Sequence, residues 1–392
     1  MGENSTIGWT DNTFNSVIGC TKVSTGCASC YAERDFDKRR HVARWGPSGT
    51  RIMTRPEYWK KPLRWNKEAE QAGVRTKVFC SSLSDVFEDW RGEILSSKGL
   101  PMWRCCCGHW FDAELQVVPC PKCGDLRASI VTMNHVRQRL FQLIDQTPHL
   151  DWLLLTKRPE NILEMWPDTP VGEAERDAYW PSPPPGGFVE RKNVWLGCSV
   201  ENQKFADLRI PELLKCRHLS PVLFLSCEPL LGEVNLWPSA FNDCRCVEDS
   251  TMCPETGAYG YCSKCEHTGT GHETDISWVI VGGESGPSAR PMNPQHADSL
   301  IAQCEQSEIP VFFKQFGEWL SFKLDYPGLH LVAHQEDGSD VLIGADVDGK
   351  RYGKDHVYLD HLENIAYVKV GKKAAGRLFD GVEYSQFPQV GE

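Results

Sequence analysis

Apolar residues along this chain gather into short continuous runs, each ending in small or polar residues and each followed by a helical or loop-like stretch. Six are plain: Lys77-Val-Phe-Cys-Ser-Ser82, Trp152-Leu-Leu-Leu-Thr-Lys-Arg158, Val194-Trp-Leu-Gly-Cys-Ser-Val200, Val222-Leu-Phe-Leu-Ser-Cys-Glu228, Trp278-Val-Ile-Val-Gly-Gly-Glu284 and Val311-Phe-Phe-Lys-Gln-Phe-Gly317. The stretch Thr13-Phe-Asn-Ser-Val-Ile-Gly19 has strand propensity too and makes a seventh. Runs that are hydrophobic throughout, rather than alternating, belong to strands buried on both faces, as in parallel sheets. Between them lie helical patterns: Val136, Leu140, Leu143 and Ile144 within 131–146, and Leu300, Ile301 and Cys304 within 296–307. Strand-helix alternation of this kind predicts an α/β fold with a parallel sheet, here a partial TIM-type (β/α) barrel.

In a barrel, the residues at the carboxyl ends of the strands face the active site. Those positions hold Ser82, Ser84 and Asp85; Thr156, Lys157 and Arg158; Ser199 and Glu201; Ser226 and Glu228; Glu284 and Ser285; and Lys314 and Gln315. Any one of them reads equally as a cap or turn residue. Their recurrence at strand after strand points to a site.

Chemistry concentrates in Cys20-Thr-Lys-Val-Ser-Thr-Gly-Cys27-Ala-Ser-Cys30, a glycine-containing loop expected to follow the first strand and precede a helix at 31–40. Three thiols within one short loop suit an iron-sulfur cluster with one iron left open, a zinc site with an open position, or a structural zinc completed by a distant residue. Two further cysteine clusters interrupt the strand pattern. One reads Cys105-Cys-Cys107-Gly-His109 followed by Cys120-Pro-Lys-Cys123; the other reads Cys244-Arg-Cys246, then Cys253, then Cys262-Ser-Lys-Cys265 with His267 beyond. In each, a C-x-C pair is followed by a C-x-x-C pair, the spacing of a four-thiolate zinc knuckle. Cys105, Cys107, Cys120 and Cys123 form one expected zinc set; Cys244, Cys246, Cys262 and Cys265 form the other. Zinc would supply the stability that such short, core-poor insertions lack. Contact with nucleic acid through Lys122, Arg127, Arg245 and Lys264 is the functional alternative.

Composition narrows the class. At 392 residues with 41% apolar residues, 14 Trp and 16 Phe, the chain can bury a large core. The 18 cysteines without a secretory leader pattern read as metal ligands more than disulfides, and no window is apolar enough to span a bilayer, so a cytoplasmic location is expected. A formal charge of −11 gives no whole-molecule attraction to nucleic acid and leaves only a local basic groove open. The expected organisation is a barrel over 1–317, interrupted by insertions at 103–127 and 242–273, with an appendage at 318–392. The proline-rich stretch within 167–190 reads as a surface loop, and Asp337-Gly338 and Asp348-Gly349 are hairpin signals.

The three-cysteine loop, the buried strands and Val281-Gly-Gly-Glu-Ser-Gly286 together resemble the radical S-adenosylmethionine (SAM) superfamily. The spacing departs from that superfamily's usual one: six residues and then two separate the cysteines, and an aromatic, Tyr31, comes just after the last. A closer resemblance is to an uncharacterised phage and bacterial family described as radical-SAM-like, sometimes called the three-Cys-motif family. It is carried by Gly8 to Asn15, Gly19 to Ser24, Leu155-Thr-Lys-Arg-Pro159, Gly197-Cys-Ser-Val-Glu201, Glu228-Pro-Leu-Leu231, Val279 to Gly286, Ala289-Arg-Pro-Met292, Lys314-Gln-Phe-Gly317 and Gly371 to Leu378.

The resemblance implies that Cys20, Cys27 and Cys30 ligate a 4Fe-4S cluster whose open iron chelates SAM. It implies that Ser82, Ser84 and Asp85 meet the SAM amino group, and that Ser199 and Glu201 reach its carboxylate or ribose. Ile280, Gly282 and Gly283 would lie beside adenine. Lys157, Arg158, Glu228, Glu284 and Lys314 are left for substrate or SAM contacts. The implied function is a radical SAM enzyme generating a 5′-deoxyadenosyl radical, modifying or repairing a nucleic acid or nucleotide, with an electron donor and a separately encoded partner protein. The alternative from another class is a zinc-stabilised binding or scaffold protein without catalysis. A zinc hydrolase is disfavoured, because no H-E-x-x-H occurs and three thiolates blunt the Lewis acidity of zinc.

Overall fold

The computed structural model describes residues 2–114, 119–167, 189–236, 276–323, 332–336, 339–345, 351–352, 357–360 and 365–389. Seven parallel strands form its main sheet: β1 (Asn12–Phe14), β2 (Thr76–Cys80), β3 (Leu150–Thr156), β4 (Val194–Ser199), β5 (Val222–Cys227), β6 (Ile276–Gly282) and β7 (Val311–Gln315). Their spatial order is their chain order, each pairing in parallel with the next. An order that never reverses puts every right-handed crossover on one face, so the sheet curls into a half-barrel with helices outside. The seven hydrophobic runs correspond one to one with these strands. The first is shorter than expected. Its run breaks at Asn15–Ser16, and Val17–Ile18 leaves the barrel to pair antiparallel with Arg51–Met53.

Four helices cover the outer face: α1 (Lys61–Ala72), α2 (Met133–Asp145), α3 (Gln203–Leu214) and α4 (Pro294–Gln306). Their starts and stops follow from side-chain chemistry. Thr132 caps α2 in a reciprocal box with His135, and Asn202 and Asn293 accept backbone N–H groups at the starts of α3 and α4. Gly73 ends α1 in the left-handed conformation, which glycine adopts without strain. Val136, Leu140, Leu143 and Ile144 of α2 are all buried in the large core between helices and sheet, together with Val78, Trp152, Leu154, Leu196, Leu225 and Val281.

Alternate residues on the same strands point into the half-barrel. Phe79, Leu153, Trp195, Phe224, Trp278, Ile280 and Phe312 fill its amino-terminal half with Trp9, and Trp278 touches five of the surrounding rings edge-on or tilted. Farther along the strands, the next inward positions are small or polar apart from Leu155: Ser81, Gly197, Ser199, Ser226, Glu228, Gly282 and Lys314. The interior is thus packed at one end and open at the other. Both free edges of the sheet are covered. Gly2 exchanges hydrogen bonds with Thr13 on β1, and the antiparallel bridge of Ser385 to Phe312 covers β7.

The first insertion is a small antiparallel sheet of Met102–Cys105, Trp110–Asp112 and Ala128–Ile130. In the carboxyl-terminal region, Val332–Glu336 pairs antiparallel with Ser339–Ala345, and the latter with Arg351–Tyr352, while Asp337-Gly338 and Asp348-Gly349 lie outside the described residues. The expected loop within 167–190 lies almost wholly outside the described residues, and the whole second cysteine-rich insertion, with Cys244, Cys246, Cys253, Cys262, Cys265 and His267, lies outside them. Among the described residues, no helix is long and apolar enough to cross a membrane.

Candidate active site and metal centre

The open end of the half-barrel is a cavity of ≈ 670 Å³, within the range of pockets that take a small molecule or cofactor. Cys20, Cys27 and Cys30 line one side of it, and the strand ends Ser82, Ser84, Lys157, Ser199, Ser226, Glu228 and Lys314 line the rest. The cysteine loop is held from three directions. Arg158 donates to the Thr21 carbonyl at 2.7 Å and lies 4.0 Å from the Cys20 sulfur. Glu201 accepts from the Gly26 N–H at 3.0 Å and from Arg209 at 2.8 Å. The Gly46 N–H donates to the Cys20 carbonyl at 3.0 Å. A Cβ on Gly26 would sit 3.0 Å from the Glu201 carboxylate, so glycine is what lets the loop lie against that anchor.

Behind the loop is a buried charge network. Arg158 pairs with Asp85 at 2.8 Å and Glu88 at 3.5 Å, and Arg51 pairs with Glu88 at 2.7 Å. Both oxygens of Asp85 are engaged: one accepts from the Thr156 hydroxyl and the Phe87 N–H, the other from the Lys157 N–H and Arg158. Asp85 therefore anchors the end of β3, and Glu201 anchors the cysteine loop. The serines differ from them. Ser199 accepts from the Lys157 ammonium at 3.0 Å and faces the cavity, Ser82 contacts the Asn15 amide, and the Ser84 hydroxyl oxygen is buried with no partner.

Gly283 lines the cavity, whereas Ile280 lies one layer below, in the aromatic packing. A Cβ on Gly283 would meet the Phe316 carbonyl at 2.0 Å, so the backbone itself requires glycine there, and one on Gly282 would meet the Glu228 carboxylate at 2.9 Å. Glu284 is paired with Arg290 at 2.6 Å, and Glu228 with Lys314 at 2.7 Å and the Trp9 indole at 3.2 Å.

The three thiols are electrostatically unlike. Burial and the Glu88 and Asp85 carboxylates push Cys20 up to about 12. Burial raises Cys27 too, yet the Lys157 ammonium and hydrogen bonds from Val23 and Ser24 leave it below the usual thiol value. Burial raises Cys30.

The first insertion brings Cys105, Cys107, Cys120 and Cys123 together, with all four sulfurs within 4.8 Å of one another. The pairs Cys105–Cys123 and Cys107–Cys120 stand 3.5 and 3.7 Å apart. Thiolates sharing one tetrahedral ion at about 2.3 Å each stand ~3.8 Å apart, so this set can hold a single metal ion. The Cys106 sulfur contacts both Cys105, at 3.7 Å, and Asp125, and His109 stacks on Phe111; neither belongs to the set of four. Cys20, Cys27 and Cys30 are not so gathered; among the described residues, only the insertion's four meet that 4.8 Å closeness.

Sequence reasoning missed several contributors. Gly2 to Ile7 and Trp9 wall the cavity from the amino terminus, and Lys372 reaches it from the carboxyl-terminal region. Glu88 and Arg51 had no motif to mark them; their role appears only in the fold.

No curated protein and no solved structure matches the chain. A family model does, over residues 4–97 and 102–388, and its description is Protein of unknown function (DUF5131). The seven-stranded half-barrel with its three-cysteine cavity is therefore carried by a member of the DUF5131 family, to which this chain belongs.

Proposed function

We propose that the protein is a radical SAM enzyme acting on a nucleic acid or nucleotide, with Cys20, Cys27 and Cys30 as ligands of a 4Fe-4S cluster. The observation that carries this reading is the convergence on one cavity of three cysteines, with no fourth among its described lining residues, and the polar carboxyl ends of the parallel strands. When bound, such a cluster supplies, through its open iron, the electron from an external donor that cleaves SAM to a 5′-deoxyadenosyl radical.

The chain's own residues have definable tasks in this reading. Lys157 places a positive charge beside Cys27 and favours its thiolate. Arg158 and Glu201 fix the loop, so that three sulfurs are presented without reorganisation. The partnerless Ser84 hydroxyl, and the Ser199 hydroxyl, which accepts from Lys157 and keeps its own proton to donate, are the groups offered to polar atoms of a bound molecule. The aromatic floor of Phe79, Trp195, Phe224 and Trp278 keeps water from entering beneath. The Cys105, Cys107, Cys120 and Cys123 set is read as structural zinc, the ion that four thiolates most often hold in small sheets.

Anaerobic reconstitution followed by iron, sulfide and zinc analysis tests this reading, with reductive release of 5′-deoxyadenosine from SAM as the second readout. About four iron per chain is expected. Zinc without iron uptake would leave the metal-stapled scaffold as the better account.

A further inference from the structure

Positive charge is distributed very unevenly. Residues 34–67 contain eleven Lys and Arg against three Asp and Glu, a surplus of eight in a chain whose formal charge is −11. The first part of this segment starts at the cavity. Tyr31, Arg34 and Trp45 line the cavity, and the π-helical turn Arg34–Arg39 and the loop after it lead away from its rim. Lys38, Arg39, Arg40 and Arg44 on that stretch are exposed. Arg39, Arg40 and Arg44 have no carboxylate within 4.0 Å among the described residues; Asp35, already paired with Arg34, is the acid whose charge Arg39 and Arg40 feel. The segment is pinned where it meets the site: the Trp45 N–H donates to Asp37 at 2.8 Å, and Gly46 donates to Cys20.

We propose that this surface binds the phosphodiester backbone of a single-stranded nucleic acid, with Arg39, Arg40 and Arg44 neutralising phosphates and a base led into the cavity past Tyr31 and Trp45. Single-strand sites combine a basic track with aromatic faces on which bases stack. Both halves are present here at one rim. Tyr31 is 45% exposed with its hydroxyl tied to the Ser82 carbonyl at 2.9 Å, and Trp45 is half-buried against Phe36 and Leu83. A duplex would not deliver a base to a cavity at the closed bottom of which aromatic packing begins; a single strand does so without unpairing. The cysteine insertion is a poorer surface, since its Arg127 is occupied by Asp125, and Lys98, just before it, by Asp112. The inference rests on the proposed function for what happens to the base, but strand binding itself requires no cluster.

The test is fluorescence anisotropy of a short labelled oligothymidylate with the full chain, before and after iron reconstitution, between about 50 and 200 mM salt. Each phosphate neutralised contributes about −0.7 to the slope of log K against log salt, so Arg39→Ser/Arg40→Ser/Arg44→Ser is expected to reduce the slope by about 2 and affinity at low salt by about tenfold or more. Because Arg40 also lies over the Phe36 ring, Arg39→Ser/Arg44→Ser is measured beside it, with an expected reduction of about 1.4. A charge-matched control, Lys98→Ser/Lys122→Ser/Arg127→Ser, leaves slope and affinity as in the parent. Absence of oligonucleotide binding, an unchanged slope in both arginine variants, an equal loss in the control, or equal affinity for the corresponding duplex would each overturn the proposal. Iron uptake without strand binding would do so while leaving the radical reading intact.

Discussion

The two described cysteine groups solve opposite problems. In the insertion, four sulfurs already lie at the separations one ion imposes, on a small sheet with little core of its own. In the barrel loop, three sulfurs stand apart at the rim of a cavity, and buried charged residues, not the sulfurs themselves, hold the loop in place. A metal that closes its coordination on protein alone stabilises a fold; one bordered by a cavity is placed to meet a ligand. On the proposed reading, the insertion serves stability and the loop serves chemistry.

The sharpest way to break that assignment is to delete one thiol from each group. Cys27→Ala should take bound iron from about four to near zero with zinc and melting temperature little changed, and Cys123→Ala should lose zinc, keep iron and admit protease into the insertion; metal analysis and limited proteolysis read both. Loss of iron in both variants would merge the two regions. Next in size is Arg158→Met. It leaves Asp85 and Glu88 buried with a partner missing, which costs about 3–5 kcal/mol in denaturant unfolding, an effect with no counterpart near the insertion. Gly26→Ala is smaller. Its methyl would press on Glu201, at roughly 1–3 kcal/mol, and hydrogen exchange should quicken in the cysteine loop while the insertion keeps its protection.

The three-stranded sheet of the insertion and the seven-stranded sheet of the barrel were not equally legible. Continuous apolar runs marked six of the barrel strands, because strands buried on both faces need apolar residues on both, and strand propensity marked the first. The C-x-C and C-x-x-C pairs marked the insertion's metal set, and three thiols in one loop marked the site. What could not be read were contacts whose partners are far apart in sequence: Gly26 with Glu201, Thr21 with Arg158, Trp9 with Glu228, and Lys372 at a cavity built by residues far before it. Asp85 and Glu201 stood at strand ends as ligand-binding carboxylates would, and their engagement by protein donors becomes visible only once Thr156, Arg158, Arg209 and Gly26 are in place. The early break of the first strand has a local cause as well: the Asn15 side chain accepts from the Leu83 N–H, and Ser16 turns the chain out of the sheet.

The smallest effect refines the loop alone. Thiols alkylate as thiolates, so in metal-free protein the Cys27 rate should reach half its maximum at a lower pH than an ordinary thiol does, and that of Cys20 only at about 12. Lys157→Met removes the cation that favours the Cys27 thiolate. Its half-maximum moves upward and its rate at neutral pH falls several-fold, read by mass spectrometry of the labelled peptide.

The most direct measurement is electron paramagnetic resonance of the reduced, reconstituted protein with and without SAM. The account predicts a reduced 4Fe-4S signal, absent in Cys27→Ala, that changes when SAM is added, because an iron with no protein ligand is there to bind it. A signal that SAM leaves untouched, or a protein that takes up no iron, would contradict it.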